Sequence, residues 1–272
     1  MSVTEIATRV GRVAVTTTGA GPLLVLVPAV GRAAADFEPL VTSLAHRFRV
    51  ITLDWPSTGA SPRCERPGEA TAGALAGALG EVVTSLGDEP AVVLGHSVGG
   101  FAAARLAIDA PARVRGLVLV DPLGFVPFNR VTRAFCAVRG RAAVTRVTEG
   151  YLARAQTIRR NPHTARVFER VDAAVARPDF TELTAAVWRS FPDPGNDLRR
   201  AAGAIRCPTL VCWGMLDPVI PVIGARLAQK AIPGARVALF PTGHTPFVED
   251  TPRFLRALDR FLAGVAARPA MA

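Results

Sequence analysis

Paired cysteines, lysine and long apolar runs are what this 272-residue chain has least of, and each scarcity closes off a class of protein. The four cysteines, Cys64, Cys136, Cys207 and Cys212, contain no Cys-x-x-Cys pair, so neither a zinc site nor a redox motif is written in their spacing. Cys207 and Cys212 flank an apolar stretch, and buried thiols in a reducing, cytoplasmic setting are the expectation. The 32 basic residues include one lysine, Lys230; the rest are arginines spread along the chain. The net charge of +10 therefore comes without a basic run, interleaved aromatics or a recognition-helix pattern, and a nucleic-acid partner is not expected. No stretch approaches the roughly 18 apolar residues of a membrane span. Met1 to Val15 carries Glu5 and alternates polar with apolar residues, unlike the unbroken core of a signal peptide. What remains is ordinary globular composition, half apolar and one fifth charged, on a chain long enough for one large α/β domain with an inserted subdomain.

The apolar residues come in short blocks that alternate with helical spacing. Val3–Arg9 and Arg12–Thr17 alternate around Gly11 and predict an antiparallel hairpin at one sheet edge. Leu23–Val27 runs apolar without alternation, as a strand covered on both faces must, and Arg49–Leu53, Ala91–Val93, Val114–Val120, Thr209–Trp213 and Arg236–Phe240 are further short, mainly apolar strand segments. Helical spacing separates them at Phe37–His46, Thr71–Leu86, Val222–Ala231 and Pro252–Ala266. Between Gly124 and Ala204 the strands stop and only arginine-rich helical segments remain: Val131–Val138, Val144–Thr157, Ala165–Ala176 and Phe180–Trp188. The pattern predicts a mostly parallel eight-stranded sheet flanked by helices, residues 1–123 with 205–272, and a helical cap, residues 124–204, inserted after the sixth strand.

One stretch organises the chain chemically. Gly95-His96-Ser97-Val98-Gly99 follows an apolar run and precedes an alanine-rich segment, which reads as strand, tight turn and helix. Such a G-x-S-x-G turn uses small residues to lift a serine hydroxyl clear of the sheet, beside the free N–H groups of a helix start. Two further residues follow strands in the same way: Asp217 in Gly214-Met215-Leu216-Asp217-Pro218, and His244 in Gly243-His244-Thr245-Pro246. In mostly parallel sheets function gathers at the carboxyl ends of strands. A serine needs an imidazole to take its proton, and the imidazole needs a carboxylate to fix its tautomer. Asp121, also just past a strand, is a rival for the acid, with a cap or loop hydrogen bond as its default role. His96 is expected to pack away from the nucleophile; His46 and His163 carry no motif and read as surface positions. The arginines of the 124–204 segment read mostly as a solvated face, one or two reaching an acidic group on the substrate.

At these residues the chain resembles the α/β-hydrolase superfamily over nearly its whole length, in the branch of esterases, lipases, haloperoxidase-like enzymes and C–C bond hydrolases. The resemblance implies Ser97 as nucleophile, Asp217 as acid and His244 as base, with the backbone N–H groups of Val98 and Val30 as oxyanion hole. It calls for no metal or organic cofactor, and for a small-molecule substrate with an apolar portion, an ester or thioester; Phe125, Trp188 and Phe247 are the candidate pocket walls, with core packing as their competing reading. The chain departs from the family at Pro28-Ala29, where His-Gly is usual. Proline removes an N–H and alanine resists positive φ, so the oxyanion loop is expected to have its own shape. That departure keeps open a hydrolase-fold enzyme performing C–C cleavage, cyclisation or acyl transfer to a non-water acceptor; a non-catalytic binding protein retaining the triad by descent is a separate alternative.

Overall fold

The computed structural model describes residues 1–267. Strands β1 (Ser2–Thr8) and β2 (Gly11–Thr18) form the edge hairpin, turning at Thr8–Gly11. β2 pairs antiparallel with β4 (Arg49–Asp54). From there β3 (Leu23–Val27), β5 (Ala91–His96), β6 (Val114–Val120), β7 (Thr209–Gly214) and β8 (Arg236–Phe240) run parallel. The result is one eight-stranded sheet in the order β1-β2-β4-β3-β5-β6-β7-β8.

The unbroken apolar strands are explained by two cores. Leu23, Val25 and Val27 of β3 face one, and Leu24 and Leu26 face the other. In β5, Ala91 and Val93 divide from Val92 and Leu94 in the same way. The first core is closed by helices α2 (Ala72–Ser85), α3 (Val98–Asp109) and α8 (Ile223–Ala231). The second is closed by α1 (Glu38–Leu44) and, through Phe254, Leu258 and Phe261, by the helix at the C-terminal side. Period-two side chains thus meet helices on both faces, which an alternating polar strand could not do.

Between β6 and β7 the chain forms four helices: α4 (Arg130–Arg139), α5 (Ala142–Ala155), α6 (Pro162–Ala174) and α7 (Pro178–Ser190). Their starts are well specified locally. Asn129 and Asn161 each cap a helix and share a reciprocal capping box with Thr132 and Thr164, and Pro162 and Pro178 occupy the first helical positions. The helix expected at Pro252–Ala266 is α10 (Thr251–Ala266), and a short helix not expected from the sequence, α9 (Pro246–Glu249), precedes it. Asp250 breaks the run and caps the second helix by accepting from the Arg253 N–H.

Candidate active site

Ser97 sits between β5 and α3 at φ 55°, ψ −117°, a left-handed conformation that a residue with a side chain adopts only when its surroundings impose it. Three hydrogen bonds impose it: Ser97 N–H donates to Val120 O at 2.9 Å, and Ser97 O accepts from Phe101 N–H at 3.0 Å and Leu123 N–H at 3.1 Å. The flanking glycines are required by close approach. A Cβ on Gly95 would stand 2.2 Å from Gly99 O, and one on Gly99 would stand 2.4 Å from Val27 O. Within residues 91–100 only Ser97 is not buried, so the turn presents that residue alone.

The histidine and the acid come from the neighbouring strand ends. His244 Nδ1 lies 2.6 Å from Asp217 Oδ2, and Asp217 Oδ1 accepts from Val219 N–H at 2.7 Å and Ile220 N–H at 3.1 Å. A carboxylate only accepts, so Nδ1 carries the proton and Nε2 is left as the acceptor. Ser97 and His244 line one cavity. Asp121, the rival acid, stands close by: one ligand-type atom from each of Asp121, Asp217 and His244 falls within 4.8 Å. Its Oδ1 accepts from Gly214 N–H at 2.9 Å, and burial together with Asp217 raises its carboxyl well above the ordinary 3.8. These three residues could be imagined around a cation, but the 2.6 Å contact is that of a direct hydrogen bond. Two ligands on one zinc-sized ion stand about 3 Å apart or more.

Behind the site His96 is fully enclosed. Its Nε2 is 2.8 Å from His244 O, which as a carbonyl can only accept, so this nitrogen carries the hydrogen. Burial, followed by the His244 and Arg32 charges, pushes its pKa well below 6.5, and it packs against Phe247 as a neutral ring. The His244 loop is braced from the chain just beyond α5: His244 N–H donates to Gln156 O at 2.9 Å. Buried Glu249 accepts from Ile158, Arg159 and Gly243 N–H through Oε2, and from Thr245 N–H and Oγ1 through Oε1.

On the opposite side, Val30 and Ala29 border the cavity. The Val30 N–H donates to no protein group among the described residues, and the Val98 N–H is the first of α3, where no intrahelical acceptor exists. The unusual Pro28-Ala29 loop is held from β4: Trp55 Nε1 donates to Pro28 O at 2.9 Å, and Asp54 Oδ1 accepts from Ala34 N–H at 2.7 Å. Proline's missing N–H is therefore no loss, because its carbonyl is the group used.

The cavity walls are Leu123, Phe128, Phe135, Trp188, Phe191, Val219 and Ile220, with a polar side made by Arg32, Glu149 and Gln156. Of the three aromatics expected there, Trp188 lines it. Phe125 does not; it is fully buried in the first core. Phe247 does not either; it stacks on Phe37 at 4.9 Å in the second core, beneath the histidines. Their loops carry no periodicity from which a side-chain direction could be read. Cys136 borders the cavity, but burial pushes its thiol up to about 11, which leaves it protonated and poorly nucleophilic at neutral pH. All four cysteines are free and buried. His46 is exposed, whereas His163, read as a surface position, is half-buried with an enclosed Nδ1.

Among the described residues no helix is long and apolar enough to cross a membrane. A family model described as the alpha/beta hydrolase fold matches residues 22–251. The chain is 32% identical over 229 residues to the dihydrolipoyllysine-residue acetyltransferase component of the acetoin cleaving system of Cupriavidus necator, with 81% of this chain and 58% of that one covered. It thus spans less than two thirds of that relative's length. It is 28% identical over 260 residues to a pimeloyl-acyl-carrier-protein methyl ester esterase of Chromobacterium violaceum, covering 91% and 97%. A solved hydrolase of Pseudomonas aeruginosa superimposes with a TM-score of 0.80 at 26% identity, covering 96% and 98%.

Proposed function

Because the chain belongs to the α/β-hydrolase fold family, whose esterase-named relatives support a hydrolase, we propose that it is a cofactor-independent serine hydrolase acting on esters or thioesters by acyl transfer. The observation that carries this reading is the orientation of His244. With Nδ1–H committed to Asp217, its Nε2 is the free acceptor on the wall shared with Ser97. In the proposed cycle Nε2 takes the Ser97 proton as Oγ bonds to the substrate carbonyl carbon. The carbonyl oxygen becomes an oxyanion facing Val98 N–H and Val30 N–H, each donor of this kind being worth about 10²- to 10³-fold in rate. Collapse expels the alcohol or thiol, which leaves with the proton from His244. Water then attacks the acyl-enzyme with the same base, freeing the acid and Ser97. Asp217 holds the imidazole and stabilises its charged form. Residues 124–204 act as a cap over residues 1–123 and 205–272, with α4 and α7 supplying apolar walls for the acyl or alcohol portion and α5 the polar Glu149.

A fluorophosphonate probe tests the nucleophile. Folded protein should become labelled at Ser97, and Ser97→Ala should neither label nor turn over p-nitrophenyl esters or a coenzyme A thioester. Unlabelled Ser97 in folded protein would instead favour a binding role.

A further inference from the structure

Two arginines are buried among the described residues, and they are in opposite situations. Arg139 is 3% exposed and makes a direct ion pair with buried Glu149. Arg32 is 5% exposed and has no carboxylate within 4.0 Å. Its Nη2 donates to Gln156 Oε1 at 3.1 Å, and its Nη1 is enclosed with no hydrogen-bond partner. The nearby acids make their direct ion pairs elsewhere, Glu149 with Arg139 and Asp36 with Arg170 at 2.7 Å, and Arg32 acts on Asp36 only through its charge, without a direct contact. A buried guanidinium without a directly bonded anion is a costly arrangement, one that folded proteins ordinarily relieve with a partner. Arg32 and Gln156 line the same cavity as Ser97 and His244; Glu149, ion-paired with Arg139, and Thr132 are its other polar side chains besides those two catalytic candidates, and the remaining walls are mainly apolar. The planar fork of a guanidinium suits a carboxylate better than any neutral acceptor.

We propose that Arg32, held by Gln156, is the anion site of the candidate active site, and that the substrate bears a carboxylate beyond an apolar segment from its scissile carbonyl. A hemiester of a short dicarboxylic acid is the simplest such molecule. The inference rests on the hydrolase reading for its catalytic arm and not for its binding arm. It also moves the acid-recognising arginine from the 124–204 segment, where the sequence pattern suggested it, to the loop after β3.

The test compares monomethyl glutarate with methyl pentanoate, which replaces the carboxylate by a methyl group. Charge-assisted hydrogen bonds in a desolvated site predict about a tenfold to hundredfold preference in kcat/KM for the hemiester. In Arg32→Met that ratio should fall to one or below. Because Arg32 has no direct ion pair to lose, this variant should stay folded, with a melting temperature close to that of the wild type. Gln156→Glu is the second variant: it supplies an internal carboxylate to Arg32 and should abolish the preference with the arginine still in place. Free glutarate should raise the wild-type melting temperature and leave that of Arg32→Met unchanged, a readout that needs no turnover; inorganic phosphate should be the weaker ligand. An equal hemiester ratio in wild type and Arg32→Met, or equal stabilisation of both by glutarate, would overturn the assignment. Loss of turnover on both esters together with an unlabelled Ser97 would count against the hydrolase reading alone, because glutarate still reports on Arg32.

Discussion

The main-chain N–H of His244 donates to the carbonyl of Gln156 at 2.9 Å, so the loop that holds the candidate base is fastened to the end of α5 and not only to the sheet. The same Gln156 steadies Arg32 through its side chain. One residue from the segment between β6 and β7 therefore touches both the proton-accepting and the charged sides of the cavity. Packing of the four helices and geometry of the site are linked through it.

Glu249 should be the residue on which that linkage depends most. Its carboxylate accepts from four backbone N–H groups and one hydroxyl across residues 158–159 and 243–245. Glu249→Ala would leave those buried donors unpaired, at roughly 1–3 kcal/mol each before relaxation. The expected outcome is a loss of about 3–5 kcal/mol in urea unfolding, with the measured total below the sum because backbone and water readjust. At temperatures where the variant is still folded, kcat/KM should fall at least tenfold as His244 loses its fixed position, while Glu249→Gln recovers part of both.

Gly99 should tolerate no side chain. A Cβ there meets the Val27 and Pro28 carbonyl oxygens at 2.4 and 2.5 Å, and these belong to strand and loop backbone that cannot yield cheaply. Gly99→Ala is expected to push the start of α3 away from the end of β3 and give either insoluble protein or a loss of several kcal/mol, in the range of core overpacking or beyond. Gly80→Ala, where nothing lies within 4 Å and the glycine is inside α2, should instead stabilise by about 0.5–1 kcal/mol. Thermal melts of the two variants side by side measure the contrast.

These cases also mark what the sequence discloses. The central strands were legible because their apolar runs are buried against both cores, whereas the edge strand β8 is only partly covered. Ser97, Asp217 and His244 were legible because each stands just past a strand, and parallel strands bring such positions together. Arg32, Gln156 and Glu249 were not, since their roles come from partners 124 and 91 residues away in the chain. Phe125 and Phe247 illustrate the same limit from the other side. Both sit next to site motifs, yet one fills the first core and the other supports the histidines from below.

His96 should make the fold sensitive to acid. Burial holds its pKa well below 6.5 in the folded protein, whereas the unfolded chain takes up a proton near the ordinary value. Its stabilising effect is therefore complete above about pH 6.5 and is lost as pH falls from there toward the depressed folded value, at no more than about 1.4 kcal/mol per pH unit. His96→Asn keeps a donor for the His244 carbonyl but does not titrate. The difference in unfolding free energy between wild type and variant should narrow between pH 8 and pH 5; a constant difference would mean that His96 is not held neutral.

Asp121 and Asp217 should respond oppositely to the same substitution, although both are buried carboxyls beside His244. Asp121 has its pKa raised well above 3.8 by burial and by Asp217, which favours the neutral acid, and its Oδ1 accepts from Gly214 N–H. An asparagine reproduces that form, so Asp121→Asn should keep activity within a few-fold. Asp217→Asn places an amide against Nδ1 of His244, disturbs the tautomer that leaves Nε2 free, and should lower kcat by about three to four orders of magnitude. The stability effect has the sign of a raised pKa: wild type loses free energy relative to Asp121→Asn as pH rises above 3.8, where the unfolded chain ionises and the native acid does not. Denaturant unfolding of both proteins at pH 4 and pH 7 should show the variant gaining on wild type at the higher pH. A collapse of activity in Asp121→Asn with Asp217→Asn unimpaired would instead make Asp121 the acid that orients His244.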